Sequence, residues 1–312
     1  MTTLRLGIDI GSTTIKFVVL DENAKIIYKN YERHFSETGN AFKRNLEKVA
    51  PVLGDNPFYI TLSGSSGMGV ASRLNLPFEQ EVLSCTSAIN LLAKDTETAI
   101  ELGGEDAKIT YLKGSLEQRM NGACAGGTGA FIDQMANLLN TDAKGLNDLA
   151  KKGSKLYTIA SRCGVFAKTD IQALINDGAQ KEDLALSIFQ AVVNQTVGTL
   201  AQGRAIEGKT AFLGGPLTFL SELKERFIKT LNLIDEDVVA TPDACYFVAI
   251  GAAICDEAKL TSLKELTELS KTDLNVVTET KNHSAPLFSS RDEYDAFVKR
   301  HSEDIVKRTS FD

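Results

Sequence analysis

The chain has 312 residues, of which 43% are hydrophobic and 24% charged, the composition of an ordinary globular protein of about two domains. Its net charge of −7, from 34 basic and 41 acidic residues, argues against a general nucleic-acid-binding protein. The longest uninterrupted apolar stretch, residues 246–255, is too short to span a membrane, and Asp9 interrupts the only segment that resembles a signal peptide. We therefore expect a cytoplasmic protein with no membrane or nucleic-acid partner.

The first predicted element is a β-hairpin whose pattern occurs twice. Residues 8–16 align without a gap on residues 100–108, an offset of 92 (100 − 8). Each copy places an acid after isoleucine, glycine two positions later and lysine seven positions after the acid: Asp9, Gly11 and Lys16, then Glu101, Gly103 and Lys108. Two unrelated hairpins are the alternative interpretation. The shared positions favour a function that is carried out twice.

The residues of the two hairpins suit a nucleotide. A glycine turn exposes backbone N–H groups that bind phosphate, and Ser12, Thr13 and Thr14 add hydroxyl donors. An acid at a strand end can hold Mg²⁺, which keeps several waters and takes one or two carboxylates. Residues 203–210 match the letters of the P-loop pattern but lead into a predicted strand, not a helix, and no dinucleotide-binding glycine turn joins a strand to a helix. We therefore predict that two facing hairpins hold a nucleotide from both sides.

Two cysteines precede predicted helices, Cys124 in a Gly-rich loop and Cys163 beside Gly164. Cys124 belongs to residues 121–129, Asn-Gly-Ala-Cys-Ala-Gly-Gly-Thr-Gly, and Cys163 to residues 161–170. The positive end of a helix favours a thiolate, and thiolates bind soft metals and iron–sulfur clusters. Two thiolates make half of a four-cysteine site, which a symmetric dimer would complete. Cysteine as a space-filling residue is the alternative, and it is our interpretation of Cys85, Cys245 and Cys255.

Two later segments are also compatible with a nucleotide site. Residues 210–217 read as a buried strand, a turn at Gly214, Gly215 and Pro216, and a helix start. The two glycines would let an adenine ring or a ribose approach the backbone. Residues 243–253 form an apolar helix with small residues around Gly251, which permits close packing at a hinge or beside the nucleotide.

The order of these segments resembles the actin, hexokinase and chaperone-ATPase superfamily. The resemblance implies an α/β fold of two similar actin-like ATPase domains, with ribonuclease-H-like mixed sheets and flanking helices, around a nucleotide cleft. We expect residues 1–95 to form the first domain, completed by a returning C-terminal helix. Residues 96–258 would form the second domain with the cluster-binding loops, and residues 259–312 a linker and an amphipathic helix.

The two cysteine motifs carry a closer resemblance. They look like those of the activator ATPases of 2-hydroxyacyl-CoA dehydratases, in the family that includes the ATPase subunits of benzoyl-CoA reductase. This implies ATP or ADP with Mg²⁺, and a [4Fe–4S] cluster that bridges a homodimer through Cys124 and Cys163. It also implies transfer of one electron to a partner iron–sulfur dehydratase or reductase, with ferredoxin or flavodoxin as electron donor.

The resemblance further implies which residues form the nucleotide site. The catalytic residues would be Asp9, Glu101 and Asp106. The residues implied to bind the nucleotide are Gly11, Ser12, Thr13, Thr14, Lys16, Gly103, Gly104, Gly126, Gly127, Gly214, Gly215, Pro216 and Gly251.

The second hairpin departs from the pattern of many activators. Glu101 and Glu105 stand where these proteins have aspartate and glutamine. A hairpin with these two residues resembles that of a subfamily whose members are often part of longer polypeptides. The chain could therefore be part of a larger protein. A small-molecule kinase with Asp133 or Asp170 as the base is the alternative function. We rank a chaperone-like or filament-forming ATPase last.

The C-terminal part has one helical pattern. Residues 259–282 are polar and read as a linker or a short helix. Between residues 290 and 307, apolar side chains and a histidine recur at helical spacing: Tyr294, Phe297, Val298, His301 and Ile305. We predict an amphipathic helix there, with His301 in a surface or packing role.

Overall fold

A five-stranded mixed sheet begins the fold. The computed structural model describes residues 3–122, 124–272, 274 and 286–303. The strand order is β3-β2-β1-β4-β9, with β1 (Arg5–Ile10), β2 (Thr14–Leu20), β3 (Ile26–Arg33), β4 (Phe58–Ser63) and β9 (Lys259–Thr261). Strands β1 and β2 are almost continuously apolar and buried. This is the pattern of strands that are covered on both faces.

A four-stranded sheet repeats this topology. Its order is β7-β6-β5-β8, with β5 (Thr98–Leu102), β6 (Ala107–Tyr111), β7 (Glu117–Met120) and β8 (Thr210–Leu213). In each sheet three consecutive strands pair antiparallel, and a later strand pairs parallel with the first of them. The predicted α/β fold with two similar mixed sheets is confirmed.

Helices cover the two sheets. They are α1 (Thr38–Leu53), α2 (Gly67–Leu74), α3 (Glu81–Leu92), α4 (Gly129–Leu138), α5 (Ala143–Ala150), α6 (Gly164–Asn176), α7 (Lys181–Thr196), α8 (Gly215–Phe219), α9 (Ser221–Leu231), α10 (Phe247–Ile254) and α11 (Leu263–Leu269). We call the first sheet with α1–α3, α10 and α11 the first lobe, and the second sheet with α4–α9 the second lobe. Each lobe has its own apolar core. A third core contains residues of both sheets, α3 and α10, so the two lobes form one compact unit.

The chain returns to the first lobe earlier than the boundary predicted at residue 258. Helix α10 packs on α3 and on strands β1, β2 and β4, so it is the returning helix. Strand β9 then pairs with β4 through Phe58 and Thr261, and α11 packs on α1. Residues 259–269, predicted as a linker or a short helix, therefore complete the first lobe with a short strand and the short helix α11. A three-residue edge strand is too short to show the alternation by which strands are recognised.

Gly251 lies where α10 crosses α3. A Cβ atom at this position would overlap the backbone of Ser84. Gly7 has the same role where β1 packs on α10. Because Gly7 has no side chain, β1 can approach the carbonyl oxygen of Ala249 in α10. Gly251 is therefore a packing residue in the structure.

We expect Gly251→Ala to lower the free energy of unfolding by about 3 kcal/mol, because the added methyl group forces α3 and α10 apart. The control is Gly69→Ala in α2, where a Cβ atom would meet no other atom within 4 Å. That change should be neutral or stabilise the helix by up to about 1 kcal/mol. Urea unfolding measures both, and equal effects of the two substitutions would contradict the packing role.

One helix in the described part of the chain, Lys181–Ala201, is long and apolar enough to cross a membrane by length and composition alone. It consists of α7 and the π-helical turn Val197–Ala201. Two thirds of its apolar window is buried inside the protein, where it contributes to the core of the second lobe. Its apolarity is therefore explained by packing.

Residues from 276 onward belong to a separate unit. Its described part contains α12 (Arg291–Ser302), which begins where the Ser290 hydroxyl accepts the N–H of Glu293. The ring of Phe288 packs against Tyr294 and Phe297, at centroid distances of 5.4 and 5.2 Å. His301 is exposed. Ile305, which was predicted to extend the apolar stripe, lies outside the described residues.

Candidate functional site: a cleft and a cysteine pocket

The first hairpin brings Asp9 and Lys16 together at the end of β1. They are cross-strand partners, and Nζ of Lys16 lies 2.6 Å from Oδ2 of Asp9, which is only 3% exposed. Burial lowers the pKa of Lys16, but the Asp9 carboxylate outweighs this effect and raises it above its ordinary value. Lys16 therefore stays charged inside the cleft.

The second hairpin repeats the pair and adds further carboxylates. Glu101 and Lys108 are cross-strand partners, as Asp9 and Lys16 are in the first hairpin. Nζ of Lys108 lies 2.7 Å from a carboxylate oxygen of Asp106 and 3.7 Å from one of Glu101. Burial lowers the pKa of Lys108, whereas these carboxylates raise it well above its ordinary value. The lysine thus holds the acids of this hairpin in place.

Glu81, at the start of α3, is a cleft residue that the sequence did not predict. Its Oε1 lies 2.5 Å from Nζ of Lys108. Burial raises its pKa, Lys108 lowers it, and the nearby carboxylates, Glu101 first, raise it, which gives a value of about 7. An acid in the first turn of a helix is so common that the sequence alone did not single it out.

We expect Glu81→Gln to be more stable than the wild-type protein near pH 8 and equally stable near pH 4. The folded protein raises the pKa of Glu81 from 4.5 to about 7, so folding favours the protonated acid. The contribution of Glu81 to the free energy of unfolding is fully present below pH 4.5 and is lost as the pH rises through about 7. Because glutamine cannot ionise, the Glu81→Gln protein does not lose this stability as the pH rises.

Urea unfolding of the nucleotide-free proteins across this pH range measures the difference. The control is Glu105→Gln, which changes an exposed acid in the turn of the second hairpin. A stability difference between Glu81→Gln and wild type that does not vary with pH would contradict the assignment.

The turns of the two hairpins face each other directly. A Cβ atom on Gly104 would overlap the hydroxyl of Thr13, so only glycine permits this approach. The backbone N–H groups of Gly129 and Ala130 donate to the carbonyl oxygens of Gly103 and Gly104, at 3.0 and 2.7 Å. The first turn of α4 is thereby fixed to the second hairpin.

A cleft lies between the two hairpins and is lined by residues of both. Most of the predicted nucleotide-site residues line it: Asp9, Gly11, Ser12, Thr13, Thr14, Lys16, Glu101, Gly103, Gly104, Asp106, Gly214, Gly215 and Pro216. Gly126, Gly127 and Gly251 are not among its lining residues. Cys245, predicted to be a core residue, lines the cleft, although it is buried.

The far side of the cleft is built by the turn after β8. Gly214 has a φ of 86°, and a Cβ atom there would overlap the carbonyl oxygen of Leu102. A Cβ atom on Gly215 would lie 2.6 Å from the hydroxyl of Tyr31. An adjoining and more apolar cavity of about 1260 Å³ shares Tyr31, Gly215 and Pro216 with the cleft, and Phe219 also lines it.

Cys124 and Cys163 line one pocket. The Cys124 thiol is 3.5 Å from the carbonyl oxygen of Arg162, to which it donates, and it accepts the N–H of Gly126 at 3.4 Å. Cys163 is the N-cap of α6. Cys124 lies five residues before α4, which begins at Gly129. Gly126 and Gly127 therefore shape the cysteine loop.

No group of three or more His, Cys, Asp or Glu side chains within the described residues is arranged to hold a metal ion. Cys85, predicted to be structural, is buried, and its thiol is 3.6 Å from a carboxylate oxygen of Glu101. Burial raises the pKa of this thiol well above its ordinary value, and Glu101 raises it further. Cys255 is half-buried and lines neither the cleft nor the cysteine pocket.

The two acids proposed for a kinase reaction have structural partners. An oxygen of Asp133 is 2.6 Å from Nη2 of Arg33, an ion pair that joins α4 to the end of β3. An oxygen of Asp170 accepts the N–H of Ala160 at 2.8 Å. Neither acid is among the residues that line the nucleotide cleft.

Known proteins share this sequence pattern and fold. The sequence profile of the BadF/BadG/BcrA/BcrD ATPase family matches residues 6–255. A 2-hydroxyisocaproyl-CoA dehydratase activator from Clostridioides difficile is 30% identical over 262 residues, which is 81% of this chain and 96% of that protein.

Two solved structures have the same fold. Component A of (R)-2-hydroxyglutaryl-CoA dehydratase from Acidaminococcus fermentans has a TM-score of 0.70 and 24% identity, over 86% of this chain and 99% of that one. The activator of the 2-hydroxyisocaproyl-CoA dehydratase from Clostridium difficile with bound ADPNP has a TM-score of 0.68 and 24% identity. That match covers 91% of this chain and 100% of the other.

Proposed function

Because this chain belongs to the BadF/BadG/BcrA/BcrD ATPase family, we propose that it is an ATP-dependent one-electron reductase that activates a partner iron–sulfur enzyme. The partner is a 2-hydroxyacyl-CoA dehydratase, a benzoyl-CoA reductase-like enzyme or a related protein, and ferredoxin or flavodoxin is the electron donor. One observation carries the proposal. Cys124 and Cys163 share a pocket, and the helix after the Cys124 loop is hydrogen-bonded to the second hairpin of the cleft.

ATP is the substrate of the cleft. The N–H groups and hydroxyls of the first turn, with Lys16, bind the phosphates from one side, and Gly103 and Gly104 approach them from the other. Asp9 and Glu101 are the residues that would hold Mg²⁺, which would supply positive charge against the phosphate oxygens. Asp106, fixed by Lys108, orients the attacking water. The related activator structure from Clostridium difficile contains bound ADPNP, which supports this use of the cleft.

The nucleoside lies towards the turn after β8. Gly214 and Gly215 let this turn pack closely against Leu102 and Tyr31, and the adjoining cavity offers Tyr31 and Phe219, whose ring centroids are 5.3 Å apart. An apolar, aromatic surface next to a phosphate site fits a flat adenine ring. This arrangement supports ATP over a small phosphorylated acid or sugar as the bound molecule.

The donor set of the cysteine pocket fits a [4Fe–4S] cluster shared by two copies of the chain. Cys124 and Cys163 supply two thiols, half of a four-cysteine set, and a second copy related by two-fold symmetry supplies the other half. When bound, such a cluster carries one electron at a time. Val165 and Phe166, which follow Cys163, are 70% and 65% exposed. Apolar side chains so exposed beside the cysteines support a homodimer interface there.

The hydrogen bonds of α4 provide the coupling between cleft and pocket. Gly129 and Ala130 bind the carbonyl oxygens of the second hairpin, and Asp133, one turn later, pairs with Arg33 of the first lobe. Closure of the lobes on the γ-phosphate therefore displaces α4, and with it the loop that carries Cys124. ATP favours the closed arrangement and ADP the open one, so hydrolysis resets the protein.

The test is electron delivery by anaerobically purified protein. With reduced ferredoxin, ATP and a 2-hydroxyacyl-CoA dehydratase, we expect dehydratase activity that requires ATP hydrolysis. Replacing ATP by ADPNP should abolish repeated activation. Phosphorylation of sugars or small acids by an iron-free preparation would instead favour the kinase function.

A further inference from the structure

His34 directly follows β3 and contacts the turn of the first hairpin, Gly11–Thr14. It is buried, with 3% of its surface exposed. Its ring Nε2 lies 3.0 Å from the carbonyl oxygen of Gly11, and its backbone N–H donates to the carbonyl oxygen of Thr13 at 3.1 Å. One residue thus contacts the turn at two points, although it does not line the cleft.

The hydrogen bonds define the protonation state of the ring. The backbone N–H of Ser36 donates to Nδ1 of His34 at 3.2 Å, so Nδ1 carries no proton. Because Gly11 offers only a carbonyl oxygen, Nε2 must carry the ring proton and donate it. The imidazole is therefore neutral, with one nitrogen as donor and the other as acceptor.

The segment after His34 holds the ring in this orientation. Phe35 and Ser36 have φ values of 47° and 65°, a left-handed conformation that non-glycine residues seldom adopt. This strained turn directs the N–H of Ser36 back towards Nδ1. The N–H of Glu37 also donates to the carbonyl oxygen of His34, at 2.7 Å. Strain that persists in consecutive residues indicates that their conformation has a function.

The hydrogen bonds from His34 fix the orientation of the peptide groups in the Gly11–Thr14 turn. The carbonyl oxygens of Gly11 and Thr13 accept from His34, and that of Thr14 accepts from the N–H of Gly11 at 2.9 Å. Within the described residues, the N–H groups of Ser12 and Thr13 have no protein partner. Carbonyl dipoles held away from the cleft leave N–H dipoles for an anion.

From this geometry we infer that His34 is a positioning residue, which holds the Gly11–Thr14 turn in the conformation that binds the phosphates of the nucleotide. The inference rests on the proposed ATP site. It adds a residue outside the cleft whose ring proton, donated by Nε2 to Gly11, keeps a carbonyl oxygen away from the phosphate oxygens.

Two substitutions separate the two bonds of the ring. In His34→Gln the side-chain amide can donate to Gly11 in place of Nε2, whereas in His34→Asn the shorter side chain can accept from Ser36 but cannot reach Gly11. We expect His34→Asn to bind ADPNP about tenfold more weakly than wild type, the cost of one lost hydrogen bond. His34→Gln should remain within about threefold of wild type. Adenosine, which has no phosphate, should bind all three proteins equally.

Calorimetric titration with ADPNP and adenosine measures these affinities, and His301→Asn, an exposed histidine, is the control. Equal ADPNP affinities for His34→Asn and wild type, or an equal loss with Gln and Asn, would overturn the inference. If the wild-type protein itself does not bind ADPNP, the proposed function fails instead. A ¹⁵N NMR spectrum of wild-type His34 gives a test that requires no variant. The Nε2–H tautomer is expected, and the Nδ1–H tautomer would overturn the inference.

Discussion

Replacing Asp9 by asparagine is expected to lower the rate of ATP hydrolysis at least about a hundredfold, the usual cost of removing one electrostatic partner from an active site. Asparagine has the shape of aspartate but lacks the charge that we propose for binding Mg²⁺ at the end of β1. Hydrolysis by anaerobically purified protein, followed as phosphate release, measures the effect. Asp148→Asn, in an exposed acid of α5, should leave the rate unchanged.

The same substitution has a cost in stability that must be separated from its effect on catalysis. Lys16 loses its only carboxylate partner within 4 Å in the described structure, and a buried charge without a partner costs about 3 kcal/mol or more. The double variant Asp9→Asn with Lys16→Met removes both charges and should recover much of the stability. It should not recover hydrolysis. A single Asp9→Asn variant that hydrolyses ATP at the wild-type rate would contradict the role of Asp9.

The second large effect is expected at the cysteine pocket. Cys124→Ser and Cys163→Ser should each lose nearly all bound iron, because a serine hydroxyl is a poor ligand for iron that thiolates bind. In a shared site each single substitution removes two of the four ligands, one from each copy. Iron content and the absorbance of the cluster measure the loss.

The matched control is Cys255→Ser, since Cys255 is half-buried but lines neither the cleft nor the cysteine pocket. This variant should keep the iron content of the wild-type protein. Both pocket variants should still bind ADPNP, because the cleft lies outside the pocket. Full iron content in Cys124→Ser, or equal iron loss in Cys255→Ser, would contradict the assignment of ligands.

The two hairpins could be predicted because the residues that define each one lie close together in the sequence. Asp9 and Lys16 fall opposite each other once the turn is placed at Gly11, and the repeated pattern at Glu101 and Lys108 indicated the second sheet. The turn at Gly214 was predictable for the same reason, since a buried strand leads directly into it. Patterns of this kind require only the periodicity of a strand and the geometry of a turn.

The contacts between distant segments were not predictable from the sequence. Glu81 meets Lys108 across 27 positions, and Arg33 meets Asp133 across 100. Gly251 looked like a residue beside the nucleotide because small residues serve both helix packing and ligand approach, and only the position of α3 decides between the two. His34 gave no signal, because the strained turn after it contains no glycine.

Iron stoichiometry measured together with assembly mass tests most directly whether two copies of this chain complete one cluster. Native mass spectrometry of anaerobically purified protein should show a dimer that carries four irons and four sulfides, about two irons per chain. The dimer should fall to monomers as the iron is removed. A monomer with a complete cluster, or an anaerobically purified dimer without iron, would contradict the account.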